Sequence, residues 1–260
     1  MIPSRFLIGV DSDGTAFDSM NLKHLEAFIP AALEIWPLSA PAAECFIRAE
    51  KDINLFSETR GINRFPGLLL AFERLAGEYP AEAPDCEALR GYLAGESKYS
   101  PRTLSSWLEA HPSPELAKVL AWSQRADELF ARACEGIQPF PGVREALAEA
   151  SKSAAVAVVS SAALEGLKKD WQAGGLLPSV DFLMSQEDGS KTAQLQLAMA
   201  RCDSPVHALM LGDTDADGQA AREAEADFFR IVPGREAESW RRFREEILPR
   251  FLSGAPLGEA

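Results

Sequence analysis

Phe6-Leu7-Ile8-Gly9-Val10-Asp11-Ser12-Asp13-Gly14-Thr15 is an apolar run that empties into two aspartates one residue apart. The first five residues read as a buried strand, because a short apolar run bounded by small and acidic residues suits a strand covered on both faces. Two carboxylates on a tight strand-end loop repel each other, a cost that a divalent cation or acid-base chemistry would offset. Taken alone, the stretch also fits an ordinary turn closed by an Asx hydrogen bond.

Similar apolar runs at 154–159, 181–184, 208–211 and 227–232 read as further strands, and segments of helical period lie at 143–151, 162–173, 192–201 and 216–226. Strand alternating with helix predicts an α/β fold, a Rossmann-like parallel sheet with helices on both faces. A last helix at 236–251 spaces Trp240, Phe243, Ile247 and Phe251 along one face. Residues 18–136 differ: helical periodicity is broken by Pro and Gly, and no strand pattern occurs. This predicts an all-helical cap at 18–136 inserted into a sheet domain made of 1–17 and 137–260. The insertion leaves the sheet beside Asp11, at the strand end where ligands bind in parallel sheets, and the turn-rich Gln138-Pro139-Phe140-Pro141-Gly142 marks its return. Such a cap is expected to close over the site as a lid, with hinges near 17–20 and 136–139.

Composition narrows the function. With 260 residues, 47% of them hydrophobic, the chain can bury a large core, so disorder is excluded. A formal net charge of -13 without a basic cluster argues against nucleic acid or an anionic membrane as partner. The longest nearly uncharged run, 153–164, is far shorter than the roughly 20 residues of a membrane span. The N-terminal stretch lacks the pattern of a signal peptide, so the cytoplasm is the expected location. Four scattered cysteines without a CxxC pair suggest free thiols, not zinc or disulfides.

A second acidic cluster follows another strand: Gly212-Asp213-Thr214-Asp215-Ala216-Asp217-Gly218. If both strands lie in one parallel sheet, Asp11, Asp13, Asp213 and Asp217 meet at one edge, and carboxylate oxygens with room for water suit Mg2+. A calcium loop is a competing reading, but its twelfth position is Ala224 where a bidentate Glu is wanted. Asp215 is then a helix N-cap or a first-turn carboxylate. The strand at 154–159 ends in Ser160-Ser161, a source of hydroxyl donors, and Gly189-Ser190-Lys191 opens a helix with a cation that can neutralise an anion. Singly, Ser160 fits a cap and Lys191 a solvated surface.

In order along the chain, these four motifs resemble those of the haloacid dehalogenase superfamily: DxDGT at 11–15, a strand-ending Ser at 160, a helix-opening Lys at 191 and GDxxxD at 212–217. The resemblance covers the sheet domain and implies a cap inserted after the first motif. It implies Asp11 as nucleophile forming an aspartyl-phosphate, and Asp13 as general acid and base. It further implies Mg2+ held by Asp11, the Asp13 carbonyl and Asp213, with Asp217 direct or through water, and phosphoryl oxygens bound by Ser160, Ser161, Lys191 and Thr15, with Thr15 also orienting the loop. An acid at Asp13 points to phosphate-ester hydrolysis, since a halide leaving group needs no proton. A phosphosugar mutase shares the four motifs, and a non-catalytic phospho-ligand binding protein is the reading from another class.

The expected partner is a small phosphorylated metabolite, on a monomer or homodimer. Its selection is expected from the cap, where residues 51–66 combine Arg60, Asn63 and Arg64 beside a glycine turn, and where Lys23 or His24 follows the first motif. An interhelix loop tied by salt bridges fits residues 51–66 equally well.

Overall fold

The computed structural model describes residues 4–203 and 206–257. Residues 1–3, 204, 205 and 258–260 of the expected sheet domain lie outside the described residues. The chain divides into two compact units, one of residues 1–19 and 136–260 and one of residues 20–135.

The first unit is built on five parallel strands, β1 (Phe6–Val10), β2 (Ala155–Val159), β3 (Phe182–Met184), β4 (His207–Gly212) and β5 (Asp227–Arg230), in the order β3-β2-β1-β4-β5. Each follows a helix after β1, and the helices Val143–Ala150, Leu164–Ala173, Lys191–Met199 and Asp215–Glu223 make the crossovers that parallel pairing requires. β1 is central, pairing Leu7 with Ala155 on one side and with Ala208 on the other. Its apolar composition follows, since both faces are covered: Leu7, Ala155, Ala157, Val159, Ala208 and Met210 pack with Leu195, Ala198 and Ala221 of two helices. The alternate residues Ile8, Val10, Val156, Val158, Leu209 and Leu211, which the pleat turns the other way, are equally buried.

Element ends move by one to three residues from the sequence expectation. The last helix departs more: it runs Glu236–Arg242, passes through a π-helical turn at Phe243–Ile247, and ends as Leu248–Leu252 with Pro249 in its first turn. Proline cannot donate to the carbonyl four residues back, which accounts for the break in regular bonding.

The second unit is all helical. Its longest helices, Ala40–Lys51, Arg64–Glu78 and Pro114–Ala133, surround a core containing Phe28, Trp36, Phe46, Phe65, Phe72, Tyr92 and Trp122. The indole of Trp122 donates to the Phe28 carbonyl at 3.0 Å, so even this central aromatic has its polar atom satisfied. Two short π-helical stretches, Leu22–Phe28 and Asp52–Phe56, interrupt the unit. No helix among the described residues is long and apolar enough to cross a membrane.

Candidate active site

The strand order reverses at β1 and β4, which lie side by side while the chain continues outward from each in opposite directions. Their carboxyl ends form the crevice where ligands bind in such sheets. The register places Val10 opposite Leu211, and the Asp11 amide donates to the Leu211 carbonyl at 3.0 Å, so Asp11 and Asp213 leave the sheet together.

Asp11, Asp213 and Asp217 are all buried and each offers an oxygen within 4.8 Å of the others. Lys191 reaches them from the start of its helix, 2.8 Å from Asp11 Oδ1 and 2.6 Å from Asp217 Oδ1. Thr15 Oγ1 donates to Asp213 Oδ1 at 3.0 Å. Asp217 is placed by a reciprocal cap: its Oδ2 accepts from the Thr214 amide and hydroxyl, and its own amide donates to Thr214 Oγ1. Gly212 allows this approach, because a Cβ there would lie 2.4 Å from the Asp217 Cβ. Thr214 is therefore the N-cap, and Asp215 is the first-turn carboxylate, paired with Arg230. Arg230 also donates to the Asp213 carbonyl at 3.2 Å.

Electrostatics follow from burial. Desolvation pushes the Asp11 carboxyl well above its ordinary range; Lys191 opposes this, while Asp217 and Asp213 add to it. Burial disfavours the Lys191 ammonium, but Asp11 and Asp217 outweigh that and hold it above its ordinary value. Three acids and one base leave the cluster short of positive charge, and an all-oxygen donor set of this kind can hold a divalent cation.

The loop carrying Asp11 and Asp13 is pegged by two fully buried indoles: Trp171 Nε1 donates to Ser12 Oγ at 3.0 Å and Trp240 Nε1 to the Thr15 carbonyl at 2.8 Å. Asp13 is half-buried and accepts a short hydrogen bond from Ser19 Oγ. Asp170, beside Trp171 on the helix Leu164–Ala173, is pushed up by burial and then by the Asp13 charge, so a further carboxyl flanks this loop. Ser160 is buried at the end of β2, and its Oγ accepts from the Ala162 amide at 3.1 Å; Ser161 beside it is exposed.

The model of the haloacid dehalogenase-like hydrolases matches residues 7–225. The chain belongs to that family. Among solved structures, this hydrolase is similar to a candidate β-phosphoglucomutase from Thermotoga maritima, at 16% identity and a TM-score of 0.54 over 91% of this chain and 98% of that one. It is also similar to a candidate phosphoglycolate phosphatase from Lactobacillus plantarum, at 15% identity and a TM-score of 0.51 over 92% and 91% of the two chains. A haloacid dehalogenase-like hydrolase from Streptococcus pneumoniae gives 15% identity and a TM-score of 0.50, with 90% of each chain covered. Identities this low speak to fold alone. No curated protein matches the sequence.

The remaining sequence candidates of this hydrolase lie in its helical unit and are largely occupied there. Arg64 donates to Asp127 Oδ1 at 2.7 Å and to Ser123 Oγ at 3.0 Å, with its guanidinium over the Phe28 ring. Asn63 caps the helix Arg64–Glu78, accepting from the Phe65 amide, and donates to the Tyr99 carbonyl. Arg60 donates to the Leu55 carbonyl at 2.8 Å. Lys23 sits over the Phe130 ring. His24, the other candidate that follows the first motif, is buried edge-on to Phe28 and 3.7 Å from Glu50. The sequence pointed to Trp240 only as a core residue of the last helix and not at all to Trp171, Ser19 or Arg230, because nothing local in a core tryptophan or a strand-end arginine tells which distant loop it will hold.

Proposed function

We propose that this hydrolase is a Mg2+-dependent phosphatase that cleaves a small phosphorylated metabolite through an aspartyl-phosphate. The observation that carries the reading is Asp13, a half-buried acid held by Ser19 two residues beyond the buried Asp11. An oxygen of Asp11 attacks phosphorus in line, and Asp13 gives its proton to the departing ester oxygen. Asp13 then takes a proton from the water that attacks the aspartyl-phosphate, which releases orthophosphate and restores both carboxyl groups.

Lys191 stays charged between its acids and, with the Ser160 hydroxyl, binds the phosphoryl oxygens as charge redistributes. Ser160 Oγ already accepts from Ala162, which leaves its hydrogen to donate. Ser161 is the lesser donor, being exposed. Asp11, Asp213 and the Asp13 carbonyl would hold Mg2+, which when bound supplies the positive charge that phosphoryl oxygens require. Both oxygens of Asp217 are already engaged by Lys191 and Thr214, which favours a contribution through water. Selection beyond the phosphoryl group is assigned to the inserted helical unit, because the core motifs address that group alone.

The test is release of orthophosphate from p-nitrophenyl phosphate and a set of sugar and nucleoside monophosphates with Mg2+. A mutase would interconvert a sugar phosphate without net release, and a binding protein would do neither.

A further inference from the structure

Gln194 lies one turn beyond Lys191 on the same helix and has no exposed surface. Its neighbours Leu195 and Ala198 pack into the sheet core, where an apolar side chain would avoid the cost of burying an amide. Yet every polar atom of Gln194 is used. Oε1 accepts from the Ser160 amide at 2.9 Å, and Nε2 donates to the carbonyls of Ser160 at 2.9 Å, Ser185 at 2.8 Å and Gly189 at 3.0 Å.

These partners are not scattered. Ser160 follows β2, Ser185 follows β3, and Gly189 precedes Ser190 and Lys191. Gly189 has φ +101°, a backbone state that favours glycine. One side chain thus joins both backbone groups of Ser160 to the turn that delivers Lys191.

We propose that Gln194 is a positioning residue that sets the spacing of Ser160 against Lys191, and so the geometry of the phosphoryl-binding side of the site. The catalytic part rests on the phosphatase reading above; the clamp itself does not. Two groups that bind oxygens of one transferring phosphoryl must hold their separation, since a displacement of about 1 Å can cost on the order of 100-fold in rate. Without the amide, the Ser160 peptide is free to turn and its hydroxyl moves with it.

Gln194→Met keeps the volume and removes all four hydrogen bonds. With p-nitrophenyl phosphate and Mg2+ it is expected to lower kcat by about tenfold or more with a smaller change in KM. In a Ser160→Ala background the same substitution should cost far less, because the group it positions is gone. Gln194→Glu supplies a second readout. Its carboxylate cannot donate to the three carbonyls, but the protonated acid donates once and accepts once, so activity relative to wild type should rise as pH falls. Wild-type kcat in a folded Met variant, equal losses with and without the Ser160 hydroxyl, or an unchanged pH profile in the Glu variant each overturn the proposal. Should the Met variant not fold, the Glu profile decides. Amide hydrogen exchange at Ser160, slow in wild type and fast in the Met variant, which loses the acceptor for that amide, reports the clamp without any turnover, and fast exchange in wild type also overturns it. If wild type releases no phosphate while Ser160 stays protected, the phosphatase reading alone has failed.

Discussion

Lys191 sits between two buried carboxylates, 2.8 Å from Asp11 and 2.6 Å from Asp217, so removing it strands both charges. Lys191→Met is expected to destabilise the metal-free protein by about 3–5 kcal/mol, read by urea unfolding in chelator; a loss under about 1 kcal/mol would show the acids to be protonated or hydrated instead. Asp11→Asn should act in the opposite sense on stability. Burial raises the folded carboxyl of Asp11 above its unfolded value, so the ionised form costs folding free energy. That cost is absent below the unfolded pKa, grows as pH rises through the interval, and is complete above the folded pKa. Removing it should leave Tm in chelator at neutral pH unchanged or higher than wild type, with the difference vanishing in acid, while phosphatase turnover is abolished. A neutral-pH Tm well below wild type, or residual wild-type turnover, would contradict this.

At the level of elements, caps and buried indoles help hold the loops that follow β1 and β4. The helix Asp215–Glu223 begins with a reciprocal cap between Thr214 and Asp217, which both starts the helix and aims Asp217 at Lys191. Thr214→Ala should therefore cost about 1 kcal/mol of stability and lower kcat as well, whereas a cap with no second duty would affect stability alone. Thermal unfolding and steady-state kinetics on the same preparation separate the two. In the helical unit, Arg64 bridges the helices Arg64–Glu78 and Pro114–Ala133 through Ser123 and Asp127. Arg64→Ala is expected to lower Tm, with kcat on p-nitrophenyl phosphate near wild type. An unchanged Tm with a raised KM for one natural ester would restore the substrate-selecting role that residues 51–66 suggest.

At the scale of the whole molecule, a chain of net charge -13 carries a three-carboxylate cluster that can hold a divalent cation. Mg2+ at about 100 times its Kd should stabilise the native state by about 2.7 kcal/mol, and Asp213→Asn should remove most of that gain. Calcium is expected to stabilise as well but to suppress turnover, since it takes more ligands at longer distances. Full activity in chelator, with metal verified absent, would sink the Mg2+ requirement.

The amino-acid sequence alone determined the α/β class, the run of all-helical text between Asp18 and Gly136, and the identity of the acids at the ends of β1 and β4. Those signals are local: strand runs, helical periods and acidic strand ends depend on a few neighbouring residues. Only the tertiary structure decided that Trp240 holds Thr15, that Gln194 ties Ser160 to Gly189, that Thr214 and not Asp215 caps its helix, and that Arg64 and His24 are engaged inside the helical unit. The indole of Trp240 and the amide of Gln194 reach Thr15 and Ser160 across long stretches of chain, and such amphipathic or polar side chains fit a core face or a surface equally well until packing chooses the partner. Burial then sets the chemistry, because the repulsion and desolvation that raise Asp11 exist only once β1 and β4 lie side by side.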